Sequence, residues 1–363
     1  MLFEWMGRSE RQHVSEEVTQ VYLELSTTCN LSCTTCVRNT IVGFCPGHFS
    51  RKMMNVLIPQ LKALSSLERI VLLGFGEALC NPDFAWHIKQ LARLNVDIFL
   101  VTNGLLLDEA TADFLVGVPL HSIYVSIDDL AGTRTLIRKG TGSDDAAGAV
   151  RLLAESKART GRHLPVIGVE TVATRGNVKD ISGIIRHAGS QGAEDFIITN
   201  LFPYHESMKD QILYTVGGKN STDLKKMLKK ERRKFSVRTG GNSADVLRRC
   251  PFIERGTLLV TSEGAVAPCL ELAYTHSAWY FGSFRLHKRY HLGSIEDMSL
   301  HEIWNDGEFK TFRDEFSFYE FPDCSLCFEP DMCYHRTEQQ QDCYGHDTPC
   351  GECLWAKDII LCP

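Results

Sequence analysis

Leu23-Glu-Leu-Ser-Thr-Thr-Cys29-Asn-Leu-Ser-Cys33-Thr-Thr-Cys36 is the stretch that decides the fold. It sets three cysteines, with three and two residues between them, directly after a short apolar run typical of a buried strand. A loop this short can wrap one metal cluster. On a four-iron cluster, three thiolates leave one iron open to bind and polarise a small molecule. The triplet alone also allows a zinc site or a redox-active cysteine cluster.

Outward from this loop, short β-branched runs alternate with longer helical patterns. We predict six buried strands, at 21–25, 69–73, 97–102, 121–127, 165–173 and 195–199. The helices predicted between them lie at 55–67, 82–94, 108–116, 143–159 and 177–190. Strict alternation indicates a parallel sheet, and six units predict an α/β fold with a partial (β/α)6 barrel. Active groups then belong at the carboxyl ends of the strands.

The length of 363 residues suits two domains, because single cores stop growing near ~250–300 residues. We predict a leader at 1–18, the barrel at 19–204, a linker at 205–249 and a cysteine-rich domain at 250–363. In the last part we expect a hairpin and one helix near 300–316. The linker is predicted to hold a helix whose basic residues are Lys225, Lys226, Lys229, Lys230, Arg232, Arg233 and Lys234. That helix is either a solvated face or a docking face for an acidic protein.

Composition narrows the class of protein. The formal charge of −6 gives no electrostatic reason for binding nucleic acid or an anionic membrane. Residues 1–17 do not have the pattern of a secretory signal, and no apolar run reaches the ~18 residues of a membrane span. We therefore expect a cytoplasmic location. In that reducing compartment, 14 cysteines are expected to be metal ligands or redox groups rather than disulfides.

The CxxxCxxC run after the first strand of a predicted βα barrel resembles the radical SAM superfamily. The resemblance implies that Cys29, Cys33 and Cys36 hold a [4Fe-4S] cluster whose open iron binds S-adenosylmethionine (SAM). It also implies an anaerobic enzyme that cleaves SAM reductively to a 5′-deoxyadenosyl radical. One residue departs from the family pattern, because Thr35 stands where an aromatic residue is usual.

Three later segments agree with the same family in order and position. Gly74-Phe75-Gly76-Glu77 resembles its Gly-Gly-Glu-Pro turn, whose backbone meets the amino group of SAM, although Ala78 replaces the proline. Thr102-Asn103-Gly104 closes the third predicted strand. The further candidates for contact with SAM are Ser126, Asp128, Arg138 and Glu170. A structural role for Glu170 stays open, and the sequence identifies no catalytic side chain.

Nine cysteines follow residue 249, and five of them, with a glycine at 264, resemble the SPASM extension of radical SAM enzymes. The resemblance implies one or two auxiliary [4Fe-4S] clusters, with zinc as the alternative. By chain order, one cluster is expected on Cys324, Cys327, Cys333 and Cys353. The other is expected on Cys250, Cys269, Cys343 and Cys350. Cys362 is left over, and Cys45 and Cys80 are expected to be structural cysteines that behave as small apolar residues.

The last segment narrows the family. Cys343-Tyr-Gly, Cys350-Gly-Glu-Cys353-Leu-Trp355 and Asn200-Leu-Phe-Pro-Tyr204 resemble maturases of tungsten-containing aldehyde ferredoxin oxidoreductases. This implies hydrogen-atom abstraction from the tungstopterin cofactor or polypeptide of such an oxidoreductase, with a ferredoxin or flavodoxin-like electron donor. A SPASM peptide or protein maturase, of the sulfatase-activating or thioether-forming kind, is the first alternative. The second is a non-catalytic electron-transfer or scaffold protein, against which the predicted SAM contacts argue.

Overall fold

The computed structural model describes residues 11–129, 143–216, 221–244, 248–280, 283–327, 333 and 341–363. Six strands pair in chain order, each parallel to the next. They are β1 (Gln20–Leu23), β2 (Arg69–Leu72), β3 (Asp97–Thr102), β4 (Ser122–Ser126), β5 (Val166–Ala173) and β6 (Asp195–Asn200). All six predicted strands are thus confirmed, and with them the partial barrel.

Helices connect these strands at the predicted places. They are α1 (Arg51–Ala63), α2 (Phe84–Leu91), α3 (Glu109–Gly117), α4 (Ser143–Thr160) and α5 (Ile181–Ser190). The first helix begins four residues earlier than predicted because the Ser50 side chain accepts a hydrogen bond from the Met53 N–H and caps it. In the part of the chain that the structure describes, no helix is long and apolar enough to cross a lipid bilayer.

The sheet is longer than the six predicted strands. A strand within the predicted linker, β7 (Ser236–Thr239), pairs parallel with β6. On the other side, β8 (Thr257–Val260) pairs parallel with β1 and is followed by the antiparallel β9 (Ala265–Ala267) and β12 (Gly293–Ser294). Two parallel strands of the sheet, β7 and β8, therefore lie outside the residues predicted for the barrel. Four-residue strands are too short to show a period in the sequence.

The basic segment of the linker is not one helix. It consists of α6 (Leu224–Met227) and a separate 3-10 turn at Glu231–Arg233. A continuous helix would set Lys225 against Lys229 and Lys226 against Lys230, and like charges four residues apart destabilise a helix. All seven basic side chains of the segment are exposed, while Glu231 is buried and pairs with Arg186 at 2.8 Å.

The C-terminal part begins with α7 (Pro251–Glu254) and contains the predicted hairpin, β10 (His276–Tyr280) and β11 (Ser283–His287). The single helix expected near 300–316 is two helices, α8 (Leu300–Asn305) and α9 (Gly307–Asp314). Asp306 leaves the helical conformation between them, and its side chain caps α9 by accepting from the N–H groups of Glu308 and Phe309.

The segment 354–363 packs against the barrel strands. The Leu361 N–H donates to the Thr199 hydroxyl of β6 at 2.9 Å, and the Gly241 N–H beyond β7 donates to the Asp358 carbonyl at 2.6 Å. At the other end of the row of strands β1 to β7, the Tyr22 hydroxyl of β1 lies 3.4 Å from the Pro363 carbonyl oxygen. This closing segment therefore links both ends of the row β1 to β7. The predicted domain division stays a prediction.

Candidate functional site

A cavity of about 230 Å³ lies at the carboxyl ends of the barrel strands. The loop after β1 contributes all three predicted thiols, Cys29, Cys33 and Cys36. Further lining comes from the turn after β2, from the carboxyl ends of β3 and β4 and from β5, and it includes Gly74, Gly76, Glu77, Thr102, Asn103, Ser126 and Glu170. The structure thus brings together most of the residues predicted for the SAM site, at the end of the sheet where parallel βα folds place active groups.

Arg38 is a site residue that the sequence analysis missed. Its Nε lies 3.3 Å from the Cys36 sulfur, and its terminal nitrogens donate to the carbonyl oxygens of Thr27 and Leu31. Those two carbonyls hold the guanidinium beside the thiols. Burial raises the pKa of Cys29, while the Leu31 N–H and the Arg38 charge oppose that rise. Arg38 therefore provides a fixed positive charge for the negative charge of metal-bound thiolates.

The 74–77 turn crosses the start of the cysteine loop. A Cβ at Gly76 would lie 2.1 Å from the Ser26 carbonyl oxygen, so only glycine fits there. The buried Glu77 carboxylate accepts from the Thr102 hydroxyl at 2.8 Å and from the Asn103 N–H at 2.7 Å. The Glu77 side chain therefore fixes the turn to the end of β3, which leaves the turn backbone along the cavity.

Glu24 was also missed, although a charged residue between two apolar ones in a buried strand is a signal that could have found it. Its carboxylate accepts from the N–H groups of Phe75 and Ser262 and from the Tyr274 hydroxyl. Burial raises the pKa of Glu24 despite these hydrogen bonds. Through these hydrogen bonds, the Glu24 side chain links the end of β1 to the 74–77 turn and to the C-terminal part of the chain.

The other predicted SAM contacts have different outcomes. Ser126 and Glu170 are register partners on β4 and β5, and both line the cavity. Asp128 is buried outside the cavity lining, and its carboxylate accepts from the Val172 N–H at 2.7 Å. Arg138 lies outside the described residues. The roles of all four in SAM binding stay predictions.

Four cysteines of the C-terminal part, one buried and three half-buried, form a group that chain order did not predict. Burial raises the pKa of Cys250 to about 12 and that of Cys353 to about 11. The charges of Cys250, Cys350 and Cys353 each raise the pKa of Cys269 further, so the four thiols lie close together. They are one candidate ligand set for an auxiliary cluster.

The second candidate set gathers around Cys343. Burial raises its pKa, and the charges of Cys333 and Cys327 raise it further, so these three thiols are neighbours. Cys324 belongs to the same CxxC pair as Cys327, and a Cβ on Gly351 would lie 3.4 Å from the Cys324 sulfur, so Cys324 lies beside the segment that carries Cys350 and Cys353. These neighbours favour a grouping in which Cys343 and Cys353 exchange places relative to chain order. The assignment of each cysteine to a cluster stays a prediction. A short 3-10 turn at Cys350–Glu352 carries Cys353 into the first candidate set.

The three unassigned cysteines differ in environment. Cys45 is exposed, so its expected role as a buried apolar residue is wrong. Cys80 is half-buried next to the cavity, and burial followed by the Glu77 charge raises its pKa. The Cys362 sulfur accepts a hydrogen bond from the Trp355 indole N–H at 3.2 Å. Cys362 also has a neighbour in the candidate SAM site, because burial and then the charge of Glu170 raise its pKa.

The donor set of the cavity fits an iron–sulfur cluster. Three thiols from one loop share the cavity with a fixed guanidinium, which offsets the charge of a thiolate-ligated cluster. Hydrogen-bond donors near the sulfurs include the Leu31 N–H and the Asn103 side-chain amide, the latter 3.7 Å from the Cys29 sulfur. Hydrogen bonds to ligating sulfurs are a main control on cluster potential.

Comparison with known families gives two matches. Residues 23–180 match the radical SAM superfamily, and residues 250–328 match SPASM, an iron–sulfur cluster-binding domain. The first match contains the cysteine loop and the 74–77 turn. The second begins at Cys250 and ends just after Cys327.

Individual relatives extend the comparison. The tungsten-containing aldehyde ferredoxin oxidoreductase cofactor-modifying protein of Pyrococcus furiosus is 24% identical over 344 residues, 94% of this chain and 96% of that protein. The sporulation killing factor maturation protein SkfB of Bacillus subtilis is 25% identical over 173 residues, 47% of this chain and 40% of SkfB. Among solved structures, anSMEcpe with bound AdoMet has a TM-score of 0.60 at 17% identity and covers 94% of this chain and 93% of its own.

Proposed function

Because this chain belongs to the radical SAM superfamily and carries a SPASM domain, we propose that it matures a tungsten-containing aldehyde oxidoreductase. Its substrate is the tungstopterin cofactor or the polypeptide of that oxidoreductase. One observation carries the proposal: the likeness to the Pyrococcus furiosus cofactor-modifying protein runs through nearly the whole of both chains. As a radical SAM enzyme, the protein uses SAM, a [4Fe-4S] cluster and auxiliary iron–sulfur clusters.

The proposal gives each part of the cavity a task. Cys29, Cys33 and Cys36 hold the cluster, which when bound supplies the electron that cleaves SAM. The backbone of the 74–77 turn, with Ser126 and Glu170, binds SAM at the strand ends. Asp128 and Arg138 belong to the same proposal through the family resemblance, as does the division into a barrel at 19–204 and an auxiliary-cluster domain at 250–363.

An external electron donor is part of the proposal. Seven exposed basic side chains between residues 225 and 234 form a local positive surface on a chain of net charge −6. Ferredoxins and flavodoxin-like donors that carry negative surfaces would be steered to such a patch. We call these seven residues the basic patch.

A peptide or protein maturase is the second candidate, and the similarity to SkfB over about half of this chain favours it. That similarity covers 173 residues against 344 for the Pyrococcus protein, so it accounts for less of the chain. The non-catalytic alternative is set aside, because the superfamily to which this chain belongs is one of enzymes that act on SAM.

Coexpression tests the proposal. A tungsten aldehyde oxidoreductase would be produced with the wild-type protein, without it, or with a variant in which Cys29, Cys33 and Cys36 are all alanine. We expect active oxidoreductase only with the wild type, and a mass difference in the extracted pterin or in the polypeptide. Equal aldehyde oxidation and identical masses in all three samples would contradict the tungsten function and leave the peptide maturase. Activity restored by the alanine variant would contradict radical chemistry as the contribution.

A further inference from the structure

A second group of metal-ligating side chains, distinct from the cysteine sets, lies at the base of the β10–β11 hairpin. His276 and His287 face each other directly across the antiparallel pair, with ring centres 5.3 Å apart. Glu271 reaches the same place from the preceding loop. One ligand atom from each of the three lies within 4.8 Å of the other two. The three side chains are 5% exposed or less.

The hydrogen bonds of His276 decide which of its ring nitrogens faces the group. Its Nδ1 lies 3.0 Å from the Ser277 carbonyl oxygen, which can only accept, so Nδ1 carries a proton. In a neutral imidazole, Nε2 then presents a lone pair. The His276 Nε2 atom lies 3.3 Å from the backbone carbonyl oxygen of Glu271 and 3.5 Å from the side-chain carboxylate of Glu271. Both of these oxygens are hydrogen-bond acceptors, like Nε2 itself. Electron pairs therefore converge where a proton or a cation must lie between them.

The Glu271 carboxylate points to the same requirement. One oxygen contacts Nδ1 of His287. In the described parts of the chain, no group donates a hydrogen bond to the other oxygen, although that oxygen is fully enclosed. A buried carboxylate oxygen without a donor is costly, and a coordinated cation removes that cost.

We propose that Glu271, His276 and His287 bind one divalent first-row metal ion, of the chemistry of Zn²⁺. Two imidazoles and one carboxylate are a common protein ligand set for zinc and for Fe²⁺. The Ser277 carbonyl supplies the outer contact that orients a ligating histidine. The nitrogen and oxygen donors separate this site from the all-sulfur sets of the same domain.

The site would attach the hairpin to the mouth of the barrel. The Tyr204 ring, on the loop after β6, lies 5.3 Å from His276 and stacks on Phe202. A metal held by both hairpin strands and by the loop of Glu271 therefore fixes the hairpin beside the loop after β6. The auxiliary cysteine Cys353 is also a neighbour, since the Glu271 charge raises its pKa.

Zinc loading of the cluster-reconstituted holoenzyme tests the proposal, because iron–sulfur clusters then occupy the thiolates. The protein is incubated with Zn²⁺ and desalted, and its metals are measured by mass spectrometry. We expect one zinc ion per chain in addition to the iron of the clusters. Zinc-edge X-ray absorption should give nitrogen and oxygen ligands at ~2.0–2.1 Å, where thiolates would give ~2.3 Å. His287→Gln should lose this zinc and keep its iron. The matched control His291→Gln alters a half-buried histidine bound to the Ala273 carbonyl and should keep both metals.

Three results would overturn the site. The first is that wild-type holoenzyme retains no zinc after incubation with Zn²⁺. The second is that the bound zinc has only sulfur ligands. The third is that the His287→Gln variant retains as much zinc as the wild type. The first would identify a histidine–carboxylate cluster that shares a proton instead of a metal. If His287→Gln also loses iron, Glu271→Gln becomes the deciding variant, because it keeps the side-chain volume and removes the charged ligand.

Discussion

Arg38 sets the charge of the candidate cluster site at the level of a single residue. Two backbone carbonyls fix its guanidinium 3.3 Å from the Cys36 sulfur, so the positive charge cannot move away when an electron arrives. A cation held in this way favours the reduced cluster over the oxidised one. Radical SAM chemistry needs an electron of low potential, so Arg38 affects the ease of reduction as well as cluster retention.

We predict that Arg38→Gln lowers the midpoint potential of the SAM-binding cluster. Loss of one charge-assisted hydrogen bond, worth about 1.5–3 kcal/mol, corresponds to about 65–130 mV for one electron. Redox titration followed by electron paramagnetic resonance measures it at equal iron content. The control Arg51→Gln removes an exposed arginine that pairs with Asp83, and its potential should match that of the wild type. An unchanged potential in Arg38→Gln would mean that the guanidinium only supports the loop.

The grouping of the auxiliary cysteines is a second question at this scale, and iron analysis of double variants decides it. Three four-iron clusters correspond to about 12 iron atoms per chain. We predict that Cys250→Ala with Cys353→Ala removes about four iron atoms, because both thiols belong to one set, and that Cys327→Ala with Cys343→Ala does the same. The comparator Cys250→Ala with Cys327→Ala should remove about eight. A loss of about eight iron atoms in each of the three double variants would support the grouping by chain order instead.

At the level of strands, one side chain ties three of them together. The Tyr124 ring of β4 lies across Gly168 of β5, where any Cβ would come 2.4 Å from the ring. Its hydroxyl donates to Asp195 of β6 at 2.6 Å, and Ser236 and Arg238 of β7 donate to the same carboxylate. Gly168 therefore permits a hydrogen bond that spans a strand and joins β7 to the sheet.

The Asp195 contact predicts a pH dependence of stability. Burial acts to raise the pKa of Asp195, but hydrogen bonds from Ser236, Tyr124 and Arg238 outweigh it and lower that pKa. The stabilisation is therefore present above the ordinary value near 3.8 and is lost as the pH falls through the lower folded value. Asp195→Asn should reduce the free energy of unfolding by about 1–2 kcal/mol at pH 7.

Denaturant unfolding followed by circular dichroism measures the free energy of unfolding of the wild type and of Asp195→Asn. The two proteins are compared at the same pH, because acid-labile clusters then affect both of them equally. The difference between wild type and Asp195→Asn should narrow below pH ~4. A difference that stays constant from pH 7 to pH 3 would assign the effect of the substitution to packing instead of charge.

Strands and cysteine loops could be predicted from the sequence because their signals are local. Runs of Val, Ile and Leu marked β1 to β6, and spacing alone marked Cys29, Cys33 and Cys36. Glu24 and Arg38 could not be placed, because their partners become neighbours only when strand ends and loops meet. The Glu271, His276 and His287 group likewise depends on the pairing of β10 with β11, which brings residues 11 positions apart face to face.

For the whole molecule, charge distribution matters more than net charge. The basic patch is exposed on a chain of net charge −6, so an acidic donor would meet local attraction within a Debye length of ~8–10 Å. We predict that Lys229→Gln with Lys230→Gln raises the KM for a ferredoxin donor roughly threefold at low salt. The matched pair Lys62→Gln with Lys310→Gln removes two exposed lysines elsewhere and should not.

The rate of SAM cleavage is measured with ferredoxin and with dithionite as the reductant. Only ferredoxin has to dock on the protein, so the comparison separates an effect on docking from an effect on the reaction itself. The dithionite-driven rate should be equal in all three proteins, and the difference in KM should disappear at high ionic strength. A patch variant with the wild-type KM for ferredoxin would leave the patch as a solvated surface.

The segment 354–363 has a consequence for how the protein folds. It joins Tyr22 to a residue 341 positions away and joins Thr199 to one 162 positions away. Contacts of such long range slow folding and make it cooperative, since a large loop must close before either partner gains. We therefore expect the region matched as a radical SAM domain to unfold together with the region that carries the auxiliary cysteines. A fragment cut at the boundary between the two matches would lose the closing segment and β8, and β1 would keep an unpaired edge.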